Sequence, residues 1–194
     1  MTRYFFIVGF PRSRTAWCSN LFTTGRVYCF HDAMRSVKNM PHLEEVVNDT
    51  RIDADYIGSS DNGLPLFPEA LGWYLEHQDR LPIAVIQRPV DEVRTSLRKF
   101  HPDVSPRRLD ELLERSLEGL KAIMLLPDVL CVPYSALNSP AALDEVWRHL
   151  IPDIPFDMQR AAALRGLHVE LQQPWYDKGF SDAFVNEVQR MGGH

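Results

Sequence analysis

Hydrophobic and polar positions along this chain follow two different periods. Short, mainly apolar segments fall at Tyr4–Val8, Val27–Phe30, Asp55–Gly58, Ile83–Gln87 and Val129–Pro133, and most are bounded by Gly, Pro, Asp or Arg. Such segments read as buried strands. Between them the apolar positions recur at three- and four-residue intervals, the period of an amphipathic helix. Thr15–Thr24 predicts a helix that stops at Gly25, Pro68–Gln78 a second, and Asp91–His101 a third with Val93, Leu97 and Phe100 on one face. Ser105-Pro106 and Ser139-Pro140 each place an N-cap before a first-turn proline. They predict helices running to Met124 and to Leu150.

Strands alternating with helices predict an α/β fold of three layers, α/β/α, with a mainly parallel central sheet. In such sheets ligands sit beyond the carboxyl ends of the strands. The segment after Pro152 is less regular. It predicts helices at Asp157–Leu164 and Ser181–Met191, a loop over LHVELQQPWYDKG between them, and a frayed Gly-Gly-His end.

With 194 residues, 45% of them hydrophobic, the chain is expected to form one domain, residues 1–194, with a substantial core. A net charge of −5 argues against a nucleic-acid or membrane-surface binder. The charge is uneven, however. Residues 1–40 hold six cations (Arg3, Arg12, Arg14, Arg26, Arg35, Lys38) and one anion, Asp32, which fits a pocket for a small polyanion. Cys18, Cys29 and Cys131 form no CxxC pair and stand among apolar neighbours, so buried thiols of a reducing compartment are expected, with no disulfide and no zinc. No signal-like segment and no run of membrane-spanning length is present, and the expected location is the cytoplasm.

The chemistry concentrates at Tyr4–Trp17, where the first strand stops at Gly9-Phe10-Pro11 and gives way to Arg12, Ser13, Arg14 and Thr15 before a helix. Helix N-terminal N–H groups, the positive end of the helix dipole and two guanidinium groups together make an anion site. It is a poor ATPase loop. Counting back from Thr15 puts Val8 and Ser13 where a Walker loop has glycines, and Arg14 where it has lysine. A second strand, Ile83–Gln87, ends in Arg88, and Ser96 follows eight residues later on a predicted helix. Two separate sites of Arg plus hydroxyl suit a ligand with phosphates on both ends of a ribose better than a linear triphosphate.

Taken together, these motifs resemble the sulfotransferase family, which has a P-loop NTPase-like fold and uses 3′-phosphoadenosine-5′-phosphosulfate (PAPS). Pro11-Arg12-Ser13-Arg14-Thr15-Ala16-Trp17 is similar to the family's Pro-Lys/Arg-Ser-Gly-Thr-Thr-Trp loop, and Arg88 with Ser96 to its Arg and Ser pair. The segment VLCVPYSAL, Val129–Leu137, resembles the family's later strand and Tyr-x-x-Leu. The resemblance implies that Arg12, Ser13, Arg14 and Thr15 bind the 5′-phosphosulfate and that Arg88 and Ser96 hold the 3′-phosphate. It departs from the family at Arg14 and Ala16, where Gly and Thr are usual. No glycine-rich C-terminal segment is matched either; Gln173, Trp175 and Lys178 lie in that region without a motif.

Sulfuryl transfer is an in-line displacement that needs cations, hydrogen-bond donors and a base, and no metal. Arg12 is the candidate to stabilise the bridging oxygen. The strand ending at Phe30 is followed by His31-Asp32, where bacterial members of the family often carry an acidic base. His31 is the first candidate here and Asp32 the second. Ser59-Ser60-Asp61 is expected as a turn, with a possible substrate contact. Trp17, Trp73, Trp147 and Trp175 are expected to pack in the core or at its rim.

The acceptor is a small molecule or carbohydrate with a hydroxyl or amine. Its pocket is expected from loops at Met34–Asp53, Asn62–Phe67 and His101–Arg108, and the oligomeric state stays open. Two alternatives remain: a P-loop nucleoside or nucleotide kinase using ATP and magnesium, and a nucleotide-binding family member without turnover.

Overall fold

The structure, a computed structural model, describes residues 2–35, 54–68 and 70–166. Five parallel strands form one sheet: β1 (Arg3–Gly9), β2 (Val27–His31), β3 (Tyr56–Asp61), β4 (Ile83–Gln87) and β5 (Val129–Pro133). Their order is β2-β3-β1-β4-β5. β1 therefore lies at the centre. The chain leaves it towards β2 on one side and later places β4 on the other, so the carboxyl end of β1 is a topological switch point.

Among the described residues six α-helices accompany the sheet: α1 (Thr15–Phe22), α2 (Ala70–His77), α3 (Val90–Phe100), α4 (Pro106–Ile123), α5 (Pro140–Leu150) and α6 (Met158–Gly166). Side chains of β1 alternate between two cores, as the period of two in a strand requires. Phe5 and Ile7 join Trp17, Leu21 and Phe22 of α1 and Leu143, Val146 and Trp147 of α5. Phe6 and Val8 join Leu71 and Tyr74 of α2, Val93 and Leu97 of α3 and Leu109 and Leu113 of α4. Burial on both faces explains why β1 and β4 are continuous apolar runs. Trp147 is buried and stacked on Phe22, ring centroids 5.0 Å apart, and its indole N–H donates to the Ile154 carbonyl.

Both Ser-Pro helix starts form. The Ser105 hydroxyl accepts from the Arg108 N–H and the Ser139 hydroxyl from the Ala142 N–H, each before a first-turn proline. Four expectations differ from the structure. β3 begins at Tyr56 and continues through Ser59, Ser60 and Asp61, which are buried strand residues and not a turn after it. α1 ends at Phe22, because Thr23 is extended and Thr24 bridges Val27. Asn62–Phe67 is no open loop: Leu64–Leu66 form a 3-10 turn whose Leu64 and Pro65 are buried. A Cβ on Gly119 of α4 would stand 1.6 Å from the Pro65 carbonyl oxygen, so this helix meets that turn backbone to backbone.

Cys131 is the fourth. It is exposed on the edge strand β5, whereas Cys18 and Cys29 are buried; all three are free. Burial raises the Cys18 thiol to about 12 and Cys29 well above its ordinary value, which makes both poor nucleophiles. Among the described residues no helix is long and apolar enough to cross a membrane. The expected helix at Ser181–Met191, the loop before it, Gln173, Trp175, Lys178 and most of Met34–Asp53 lie outside the described residues.

Candidate active site

The loop between β1 and α1 turns sharply over the end of β4. A Cβ on Gly9 would lie 3.2 Å from Ser13 Cβ and 3.3 Å from the Ile86 carbonyl oxygen, so a larger side chain would push the loop off the sheet. The Ser13 N–H donates to the Phe10 carbonyl, and Arg12 and Arg14 both adopt left-handed backbone, φ 68° and 61°. That conformation costs a non-glycine residue about 1–2 kcal/mol. At Arg14 it explains the motif: the structure asks for left-handed backbone at the position where the resembled pattern has glycine. Arg14 is the N-cap of α1 without a side-chain cap, and the first-turn N–H groups of a helix have no intrahelical acceptors. Ser13 is fully buried, and among the described residues its hydroxyl has no hydrogen-bond partner.

The turn from β4 into α3 meets this loop directly. Arg12 Nε lies 3.4 Å from Ser96 Oγ, and its guanidinium sits over the Phe100 ring at 4.5 Å. Arg88 donates to the Arg12 carbonyl and meets Glu92 at 3.3 Å. The Tyr134 ring faces two guanidinium groups, Arg88 at 4.5 Å and Arg14 at 5.2 Å, and Arg14 also donates to Asn138 Oδ1 at 2.7 Å. Arg12, Ser13, Arg14, Thr15, Arg88 and Ser96 thus form one cluster at the switch point.

His31 closes β2, two strands away from β1, yet reaches the same loop: Nε2 is 3.3 Å from Thr15 Oγ1 and 3.4 Å from Asp32 Oδ2. Asp32 has left-handed backbone, φ 53°, and its carboxylate accepts from the N–H and the side-chain amide of Asn62 at 3.0 and 2.9 Å. Next to it Asp61 is fully buried and accepts from the N–H groups of Met34, Gly63 and Leu64 and from the Ser59 hydroxyl. Burial, then the charge of Asp32, raises the Asp61 carboxyl to about 6, against the pull of those N–H groups.

Asp61 ends the strand beside β1, where a P-loop kinase would want a magnesium ligand. Both of its oxygens are already committed to ordering residues 34 and 59–64.

No family model and no curated protein matches the chain by sequence. Solved structures do match it by shape, two sulfotransferases among them. A mouse sulfotransferase, SULT7A1 complexed with PAP, superposes with a TM-score of 0.60 at 15% identity, covering 89% of this chain and 69% of that one. A sulfotransferase from Alicyclobacillus acidocaldarius gives 0.56 at 11% identity, covering 98% and 94%. The chain has the fold of the sulfotransferases.

Within this sulfotransferase fold, sequence reasoning missed Asn62, Tyr134 and Asn138 as neighbours of the cluster. It also took Asp61 for part of a turn. Asn62 and Asp61 follow an apolar segment as ordinary turn residues, and only the sheet register, which pairs Val8 with Asp61 and Ser60 with His31, brings them to the site. Tyr134 carried a signal, since it begins the Tyr-x-x-Leu that resembles the sulfotransferase pattern.

Proposed function

We propose that this protein is a sulfotransferase that moves a sulfuryl group from PAPS to a hydroxyl or amine of a small-molecule or carbohydrate acceptor, in the cytoplasm. The observation that carries this reading is the direct joining of two Arg-plus-hydroxyl places, Arg12 to Ser96 and Arg88 to the Arg12 carbonyl, at one switch point. The resemblance of both motifs and the fold of two sulfotransferases support it. The residues fit a doubly phosphorylated nucleotide: among the described residues the buried Ser13 hydroxyl lacks a partner, and aromatic rings, a hydroxyl and an amide hold the Arg12 and Arg14 guanidinium groups.

When bound, PAPS supplies a sulfuryl group whose bond to the 5′-phosphate oxygen breaks as the acceptor attacks. Arg12, Ser13, Arg14, Thr15 and the first turn of α1 bind and neutralise the 5′ side. Arg88 and Ser96 hold the 3′-phosphate. Arg12 offers N–H donors to the oxygen on which charge grows. His31, beside Thr15, takes the proton of the acceptor, with Asp32 facing the imidazolium so formed. No metal is invoked: in this reading the arginine and hydroxyl groups supply the charge and the donors that the bound anion needs.

Calorimetric titration decides between this and the kinase reading. The protein is expected to bind adenosine 3′,5′-bisphosphate at least ~10-fold more tightly than ATP with magnesium, a difference of ~1.4 kcal/mol. A preference for ATP with magnesium would overturn it.

A further inference from the structure

We infer that Asn62 is a positioning residue that, through Asp32, fixes His31 in the tautomer protonated on Nε2, leaving the Nδ1 lone pair as the base. This rests on the sulfotransferase reading for the role of His31, but the tautomer follows from the local geometry alone.

His31 Nε2 faces two groups, Asp32 Oδ2 and Thr15 Oγ1. A carboxylate only accepts, so a lone pair on Nε2 would meet the lone pairs of Asp32; a proton on Nε2 is attracted to them. The Thr15 hydroxyl can rotate to accept from the same N–H. Its own proton is then directed away from His31, towards the anion loop. Among the described residues Nδ1 makes no hydrogen bond, and the side chain is 31% exposed, so in this tautomer Nδ1 carries a lone pair that no described neighbour uses.

Asp32 is itself held in place. Its left-handed backbone turns the chain immediately after β2, and its N–H donates to the Ser60 carbonyl. Asn62 then engages both carboxylate oxygens, one with its backbone N–H and the other with its side-chain amide. The amide grips Oδ2, the oxygen nearest His31, and Asn62 is itself 9% exposed, with little room to swing. In the reaction the proton of the acceptor hydroxyl passes to Nδ1, the acceptor oxygen bonds to sulfur, and the electron pair of the broken bond leaves on the phosphate oxygen. The imidazolium positive charge is then shared with Asp32 across Nε2–H.

The test is nitrogen-15 NMR of histidine-labelled protein without nucleotide, at a pH where the ring is neutral, with His31 assigned by its loss in His31→Gln. Wild type is expected to show His31 protonated at Nε2. Asn62→Ala is expected to give a mixture of the two tautomers. Should Asn62→Ala not fold, the isosteric Asp32→Asn, whose amide can turn a donor towards Nε2, is expected to give the same mixing. Once an acceptor is in hand, Asn62→Ala should lose turnover by ~10-fold or more with unchanged bisphosphate affinity, the size of effect seen when a group behind a reacting ligand is removed. An Nδ1-protonated ring in wild type, or a tautomer indifferent to both variants, overturns the proposal. Because the spectrum needs no nucleotide, weak bisphosphate binding would strike the sulfotransferase reading and leave the tautomer result standing.

Discussion

Two corners of the same sheet edge hold their charges in opposite ways. At the β1–β4 corner, Arg12, Arg14 and Arg88 rest on the Phe100 and Tyr134 rings, a hydroxyl, an amide and a carbonyl, and among the described residues only Glu92, beside Arg88, pairs with them. Elsewhere Arg3, Arg26, Arg80, Arg94, Arg107 and Arg148 each meet a carboxylate. At the β2–β3 corner, Asp32 and Asp61 are surrounded by N–H donors until the Asp61 oxygens are filled. In the proposed function the first corner keeps its positive charge for a ligand. The second is built to hold a loop and a histidine still.

The largest effect that could break this contrast lies at Asp61. Its folded value of about 6 exceeds the ordinary 3.8, so the fold prefers the protonated acid. Stability from this group is full below about 4 and declines as pH rises through about 6, by up to ~3 kcal/mol, since each tenfold difference in proton affinity between the folded and unfolded chain is worth about 1.4 kcal/mol. Asp61→Asn has no proton to lose. Chemical denaturation from pH 4 to 7 should show wild type losing stability relative to Asp61→Asn, and parallel curves would mean that the acid is not buried and paired as described.

A smaller effect sharpens the other corner. Arg14→Gly relieves left-handed backbone, worth about 1–2 kcal/mol, but loses the Asn138 hydrogen bond at about 1 kcal/mol and adds unfolded-state freedom. Stability should stay within ~1 kcal/mol of wild type, while bisphosphate affinity falls by several-fold with the lost guanidinium, ~1 kcal/mol. Unchanged affinity would remove Arg14 from the site.

The sheet was legible because β1 and β4 are buried on both faces and so carry unbroken apolar runs, and the helices because Ser105 and Ser139 announce their starts. The cationic corner was legible because its residues lie in two short motifs. Of the acidic corner, only His31 and Asp32 were. Ser59, Ser60 and Asp61 are polar residues in a buried strand, a choice that only makes sense once Met34, Gly63 and Leu64 bring N–H groups to Asp61. Asn62 and Asp32 are 30 residues apart, and nothing local records their pairing.

The proposed two-phosphate site is tested most directly by a thermodynamic cycle: adenosine 3′,5′-bisphosphate against adenosine 5′-monophosphate, in wild type and Arg88→Ala, by calorimetry. Arg88→Ala should weaken the bisphosphate ~10- to 100-fold, the worth of a charge-assisted hydrogen bond, and leave the monophosphate unchanged. Equal losses for both nucleotides would mean that Arg88 serves only to brace the Arg12 carbonyl, and the 3′-phosphate role proposed for it would be wrong.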